Sequence, residues 1–451
     1  MDNVCSIILA AGDGTRMKSS KPKVLCEVLQ KPMIAWVQTA LSQAGIFNTC
    51  VVLGKESESI KKVLLPNTKI AIQSERKGTG HAASMAIDFM KEYQNTDVLL
   101  LNGDAPFIDA QTIKDSYQQH KAQGNQITTL CATLADPTGY GRILQKDGNF
   151  IGIIEQTEAN EAVLAIRKVN SGAYWFEVSV LIAALGKITN HNKKGEYYLT
   201  DCIQIAVDAN QKVGIYTAEN SEIVLGANDR TALAQLNEIA RIKEIQYHLE
   251  KGVDIPCFDG VMIAPEVEIG MDTTIYPGTI LKGNTKIGTG CTIIASFIDN
   301  TMIGNQTTIR SSYIYENKIG DDVCIGPFAH LRPNNQIEDG VKIGDFVEIK
   351  NSIIGEKTSL AHLTYIGDSE IGKNVNVGCG VVTVNYDGSK KAKTIIQDGA
   401  FVGCNTNLVA PVSIGRNAYT AAGTTVTHDV PDDSLVIGRI KQEVKHNWLK
   451  K

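Results

Sequence analysis

The chain has 451 residues, 43% of them hydrophobic and 21% charged, with a net charge of −5; that is enough core for two or three domains and no basic footprint for nucleic acid. Any anionic ligand must therefore be held by a few local cations. Its ten cysteines lie singly from Cys5 to Cys404, with no CxxC pair and no Cys/His spacing suited to zinc, and read as reduced thiols of a cytoplasmic protein.

The opening MDNVCSIILAAG has no basic leader, and its apolar run is one strand long, so nothing is expected to enter a membrane. From residue 4 to about 225, β-rich runs (CSIILAA, TCVVLG, DVLLLNGD, QITTLCATL) alternate with helical patterns (PMIAWVQTALSQAG, GTGHAASMAIDFMKEY, DAQTIKDSYQQHKAQG). Such alternation predicts a mostly parallel sheet with helices on both faces and ligands at the carboxyl ends of its strands.

LAAGDGTRMKSSKPKVL follows the first strand directly. Gly12 and Gly14 allow backbone N–H groups close to phosphates, and Arg16 and Lys23 add positive charge, which suits a nucleoside triphosphate. It is neither a Walker A loop nor a dinucleotide fingerprint. In DVLLLNGDAP, Asp104 ends an apolar strand, where a carboxylate can hold Mg2+ against phosphate oxygens; the plainer reading is a solvated strand-end carboxylate.

Residues 229–251 carry a cap at Asp229, apolar spacing of three and four, and a closing Gly252, which together predict one connecting helix. Beyond it an aliphatic residue recurs every sixth position, as at Ile319, Ile325, Leu331, Ile337, Ile343 and Ile349. Six helical steps smear these residues over several faces, whereas six strand steps keep one face, shared with Val323, Ala329, Val341 and Val347. A single straight strand of that length would outrun any domain, so the chain must turn after each short segment and stack as a parallel β-helix. The beat runs from about Val261 to Ile437 and breaks between Thr383 and Ile395, where TVNYDGSKKAKTI must leave the coil. A tolerated surface insertion is the plainer reading of that loop. Near it, SLAHLTYIGD places His362 and Tyr365 in one coil, LRPNN supplies Arg332 and EIKNS supplies Lys350. An imidazole is a suitable base toward an amine at neutral pH, although a histidine in a repeat is more often a surface residue.

The motifs LAAGDGTRM…KPK, GTGHA, NGDAP, PTGYGR, EYYLTD and GANDR resemble the sugar-1-phosphate nucleotidyltransferases, and AHLTYIGD, NVNVG, VNYDG and AAGTTVT resemble hexapeptide acetyltransferases. In this order, over nearly the whole chain, they are similar to the bifunctional N-acetylglucosamine-1-phosphate uridylyltransferase/glucosamine-1-phosphate N-acetyltransferase family. The resemblance implies an α/β chain: a Rossmann-like nucleotidyltransferase domain (1–228), a linker helix (229–251) and a left-handed parallel β-helix of hexapeptide repeats (252–451). The left hand comes from the resemblance alone, since the usual crossover rule favours the right.

It further implies that Leu9, Ala10, Ala11, Gly12, Arg16, Lys23, Gln73, Gly78, Thr79, Asn102 and Gly103 surround the uridine nucleotide. Gly141, Glu155 and Asn170 would hold the sugar, and Asp104 and Asn228 would bind Mg2+. In the repeat domain His362 would be the general base. Arg332, Lys350, Tyr365 and Asn376 would place glucosamine 1-phosphate, with Asn385, Tyr386 and Lys393 in the loop. Cys379, Cys404, Ala422 and Arg439 would meet acetyl-CoA. UTP and N-acetylglucosamine 1-phosphate are the implied substrates of the first site, and a homotrimer is the implied assembly. Three positions depart from the family pattern: Asn102 replaces an aromatic residue, Cys379 an alanine and Cys404 a small hydroxyl residue. A single-activity adenylyl- or guanylyltransferase with a regulatory tail, and a passive trimeric scaffold, are the alternatives; the first leaves HLTY and the NYDG loop without a purpose.

Overall fold

The computed structural model describes residues 4–449 apart from positions 13, 56, 193 and 194. It divides into two compact units, Met1–Ala240 and Arg241–Lys451, and the helix Arg230–Glu250 spans the division. The Asp229 carboxylate accepts the Ala232 N–H at 2.9 Å, satisfying one of the amides that a helix start leaves open.

The first unit is built on a sheet with strand order Val213–Thr217, Ile127–Thr133, Lys168–Glu177, Asp97–Asn102, Cys5–Ala10, Asn48–Gly54, Lys69–Gln73. Lys168–Glu177 runs antiparallel to both neighbours, and the other pairs along this path are parallel. Strand residues pack alternately to either side: Ile8, Leu99 and Leu101 join one core, and Ile7, Val98 and Leu100 the other. This two-sided burial explains why Cys5–Ala10 and Asp97–Asn102 read as unbroken apolar runs. The segment GTGHAASMAIDFMKEY forms two short helices, Thr79–Ser84 and Ile87–Lys91. The Ser84 hydroxyl donates to the His81 carbonyl at 2.8 Å, the local bonding that makes serine a poor helix-interior residue.

The second unit is a coil with three flat faces. The first face stacks ten strands from Met262–Ile263 to Thr425–Val426, the second nine from Glu268–Ile269 to Val412–Ile414, and the third ten from Thr274–Ile275 to Leu435–Val436. It is the fold expected of hexapeptide repeats, a left-handed parallel β-helix. The aliphatic beat forms its axis: Ile319, Ile325, Leu331, Ile337, Ile343 and Ile349 are all buried in one core, together with Val323, Ala329, Val341 and Val347. Successive coils are 16 to 18 residues apart, and 25 apart across the loop, so the six-residue beat slips wherever a corner is shortened or extended.

One inward column is polar. Thr285, Thr301, Asn317, Asn335, Ser352 and Ser369 are buried, and each side-chain oxygen in turn accepts the backbone N–H of the next member, at 3.0 Å for Asn317 to Asn335 and again for Asn335 to Ser352. A buried amide is tolerated here because its hydrogen bonds are complete.

Candidate active sites

The first site is a cleft of about 820 Å³ at the carboxyl ends of Cys5–Ala10 and Asp97–Asn102, the place the strand topology predicts. Of the residues expected there, Leu9, Ala10, Ala11, Gly12, Arg16, Lys23, Gln73, Gly78, Thr79, Asn102, Asp104, Glu155, Asn170 and Asn228 line it. Gly103 and Gly141 stand behind its wall. The Gly103 N–H donates to the Leu9 carbonyl at 2.9 Å, and the Gly141 carbonyl accepts the Asn170 N–H at 2.9 Å.

The Lys23 ammonium forms an ion pair with Asp104 and donates to the Asn228 Oδ1 at 2.8 Å, while Arg16 reaches the same oxygen at 3.4 Å. Two hard oxygens from distant segments thus share one cation. A carboxylate and an amide oxygen beside a phosphate site are a donor set suited to Mg2+, which takes few protein ligands and completes its shell with phosphate and water. Asp104 and Asn228 are thus residues whose donor chemistry suits that cation.

Gly78 has φ +102, and a Cβ there would lie 2.5 Å from the Tyr197 carbonyl oxygen, so only glycine lets these two segments meet. The Gln73 amide donates to the Gly78 carbonyl at 3.1 Å and contacts His81 Nδ1 at 3.0 Å, while the Thr79 hydroxyl accepts the Leu199 N–H at 3.1 Å. On the sugar side the Asn170 amide donates to the Tyr174 hydroxyl at 2.6 Å, whose pKa complete burial pushes far up. Asn102 packs against Gly172 at φ +75, where any Cβ would overlap its amide. Residue-by-residue reading missed Arg76, Thr157, Glu196, Tyr198 and Thr200 on the cleft wall. The EYYLTD motif was the available signal for three of them.

The second constellation lies on the β-helix. His362 Nδ1 is 2.7 Å from Asp345 Oδ1, and Asp345 pairs directly with His362 across adjacent coils. The hydrogen bond from His362 holds the Asp345 carboxyl below the usual carboxylate range. Asp345 was not among the expected residues.

Asp345 and three expected positions share one column at the corner between the third and first faces. The pairings Ile343 with Leu360, Leu360 with Val377, and Val377 with Val402 place Asp345, His362, Cys379 and Cys404 in register two residues further on. Cys404 hands its carbonyl to Gly423 N–H at 2.8 Å, which sets Ala422 on the next coil, and the Arg439 guanidinium donates to the Ala422 carbonyl.

Tyr365, Arg332 and Lys350 stand together on the first face, where Arg332 Nη1 is 3.1 Å from Glu348 Oε1. The Tyr365 hydroxyl leans over Gly367, 2.5 Å from where a Cβ would be. The loop 385–393 leaves the opposite edge of that face, with a bridge between Tyr386 and Lys391. Lys391 is another residue the sequence reading missed. Its ammonium, within hydrogen-bonding reach of Lys350, holds Lys350 below the usual lysine range, a cluster of positive charge suited to a phosphate. Asn385 donates to Asp368, and Lys393 pairs with Glu370. Asn376 sits on the third face, between Ser359 and Phe401, and does not share the face of Arg332 and Lys350.

Comparison with known proteins finds relatives for both halves of the chain. The family described as Nucleotidyl transferase matches residues 5–222, and Bacterial transferase hexapeptide (six repeats) matches residues 318–351. The "Bifunctional protein GlmU" of Thermoanaerobacter pseudethanolicus is 48% identical over 100% of this chain and 98% of its own length. Its namesakes from Acetivibrio thermocellus and Clostridioides difficile are 45% and 44% identical with the same coverage. The chain belongs to the GlmU family. The cleft lies in the nucleotidyltransferase half of a GlmU chain, and the histidine column in its hexapeptide half.

Proposed function

We propose that the chain makes UDP-N-acetylglucosamine in two steps, each at one of the two constellations. In the β-helix, the amine of glucosamine 1-phosphate attacks the thioester carbonyl of acetyl-CoA, coenzyme A leaves as thiol, and His362 takes the amine proton. Asp345 binds Nδ1, which leaves Nε2 as the nitrogen facing substrate. Arg332, Lys350 and Lys391 bind the sugar phosphate, and Tyr365 positions the ring. The contact between His362 and Asp345, set at the head of a column of small residues, is the observation that carries this half.

In the cleft, the phosphate oxygen of N-acetylglucosamine 1-phosphate attacks the α-phosphorus of UTP in line and pyrophosphate leaves. Lys23 and Arg16 offset the charge on the phosphates, the backbone around Gly12 approaches them, and Glu155 and Asn170 hold the sugar, so positioning and charge neutralisation carry the step. Mg2+ on Asp104 and Asn228 supplies further charge neutralisation when bound.

Residues proposed for one acetyl-transfer site are spread over two faces and both edges of the first face. We read that spread as a site completed by neighbouring copies of the chain, in the homotrimer that the resemblance implies. Among the described residues no helix is long and apolar enough to cross a membrane, and a cytoplasmic location is the reading consistent with thiols kept free. The deciding experiment is a two-signal assay on the purified chain, following thiol from acetyl-CoA and pyrophosphate from UTP. Absence of either signal removes the corresponding half of the proposal.

A further inference from the structure

The column that carries His362 also carries two thiols. Cys379 and Cys404 occupy the same outward position on adjacent coils, two residues beyond the paired Val377 and Val402. The coils are close at this point: the Cys379 carbonyl accepts the Asn405 N–H at 2.7 Å, and a Cβ on Gly378 would lie 3.0 Å from the Cys404 Cα. Paired parallel strands are about 4.8 Å apart, which falls inside the window of roughly 4.4–6.8 Å between Cα atoms that a disulfide spans. One rung above, Asp345 and His362 show that neighbouring side chains of this column do touch, at 2.7 Å.

The other cysteines lack this arrangement. Cys257 and Cys324 are exposed, and Cys324 pairs with Thr308 and Lys342. Six of the ten, Cys5, Cys26, Cys50, Cys131, Cys202 and Cys291, are buried. Cys404 is exposed and Cys379 half-buried, so a small reagent reaches the pair from solvent.

We propose that Cys379 and Cys404 form a reversible disulfide across adjacent coils that switches acetyl transfer off. The inference rests on the proposed acetyl-CoA site, since both thiols lie in the column that would receive the cofactor. The oxidant class is a low-molecular-weight disulfide. The Cys404 thiolate attacks one sulfur of RS–SR, that S–S bond breaks, and one RSH leaves carrying the proton. Cys379 then attacks the mixed disulfide at the Cys404 sulfur, the second RSH leaves, and the protein disulfide remains. Two protein thiols are oxidised and one small disulfide is reduced to two thiols. Bound acetyl-CoA covers the pair and slows the first attack.

The test incubates the full-length wild-type chain with oxidised glutathione and maps its peptides without reduction. The expected result is one linked pair of peptides, containing Cys379 and Cys404, that forms in step with loss of thiol release from acetyl-CoA. Pyrophosphate release is retained, dithiothreitol restores the lost signal, and saturating acetyl-CoA delays the linkage. Cys404→Ser is expected to carry one glutathione on Cys379 and no bridge. Both thiols remaining free, both carrying stable glutathione without a link, or a link that leaves acetyl transfer intact would each overturn the proposal. A reduced chain with no acetyl transfer from the outset would instead remove the functional reading, while the peptide map still decides whether the bridge exists.

Discussion

His362 Nδ1 and Asp345 Oδ1 lie 2.7 Å apart although 17 residues separate them in the chain. The contact exists because one coil brings the two strand ends into register. His362→Ala is expected to lower acetyl transfer by about 10²–10⁴-fold, the usual worth of a positioned base, and to leave pyrophosphate release from UTP unchanged. Asp345→Asn is expected to lower kcat for acetyl transfer less than His362→Ala does, with little change in KM for acetyl-CoA. Equal losses of both activities in either folded variant would refute separate sites.

In the cleft, Lys23 holds Asp104 and Asn228 together. Asp104→Ala is expected to cut uridylyl transfer by on the order of a hundredfold or more, as loss of a charge-stabilising group does, with acetyl transfer untouched. A chelator for divalent cations is expected to stop pyrophosphate release and spare thiol release. Added Mg2+ should restore the first signal in the wild type and not in Asp104→Ala. Persistence of pyrophosphate release at excess chelator would remove Asp104 and Asn228 as cation ligands.

Asn335 sits in the buried polar column, where its amide donates to the Ile349 carbonyl at 3.2 Å and its oxygen accepts the Ser352 N–H at 3.0 Å. Asn335→Ala strands the Ser352 N–H in the core, while the Ile349 carbonyl keeps the Arg332 N–H at 2.8 Å. A loss of about 1–3 kcal/mol is expected, measured as a lower midpoint of denaturant unfolding. An unchanged midpoint would mean that the ladder adds nothing to stability.

His248, in the helix Arg230–Glu250, is 2% exposed, and among the described residues its Nε2 has no hydrogen-bond partner. Burial pushes its pKa from 6.5 down to about 4, so the folded chain favours the neutral ring. The stability this contributes is present above pH 6.5 and is lost as pH falls from there toward about 4. The slope is at most about 1.4 kcal/mol per pH unit. His248→Leu is expected to flatten that part of the pH profile of the melting temperature; an identical profile would show that His248 is not its source.

The first axis residues of the β-helix were legible because a period of six fits a strand and no helix, as Ile319 to Ile349 show. Asp104 was legible for a similar reason, since strand ends in alternating α/β sequences are where ligands gather. Asp345 was not legible. Its partner depends on coil length, which varies from 16 to 25 residues, and no local pattern announces that Asp345 and His362 share a corner. The polar column was hidden for the opposite reason: Asn317 and Asn335 look like turn residues until the coil closes around them. Lys391 lay within a lysine-rich loop whose individual members had no distinguishing signal until the bridge to Tyr386 oriented them.

Each rung of the three-sided coil touches only the rung above and the rung below, so chemistry can be installed or withdrawn one storey at a time without disturbing the axis. Exchanging an outward corner residue changes what one storey presents, and even the loop 385–393 enters between storeys while Val377 and Val402 stay paired.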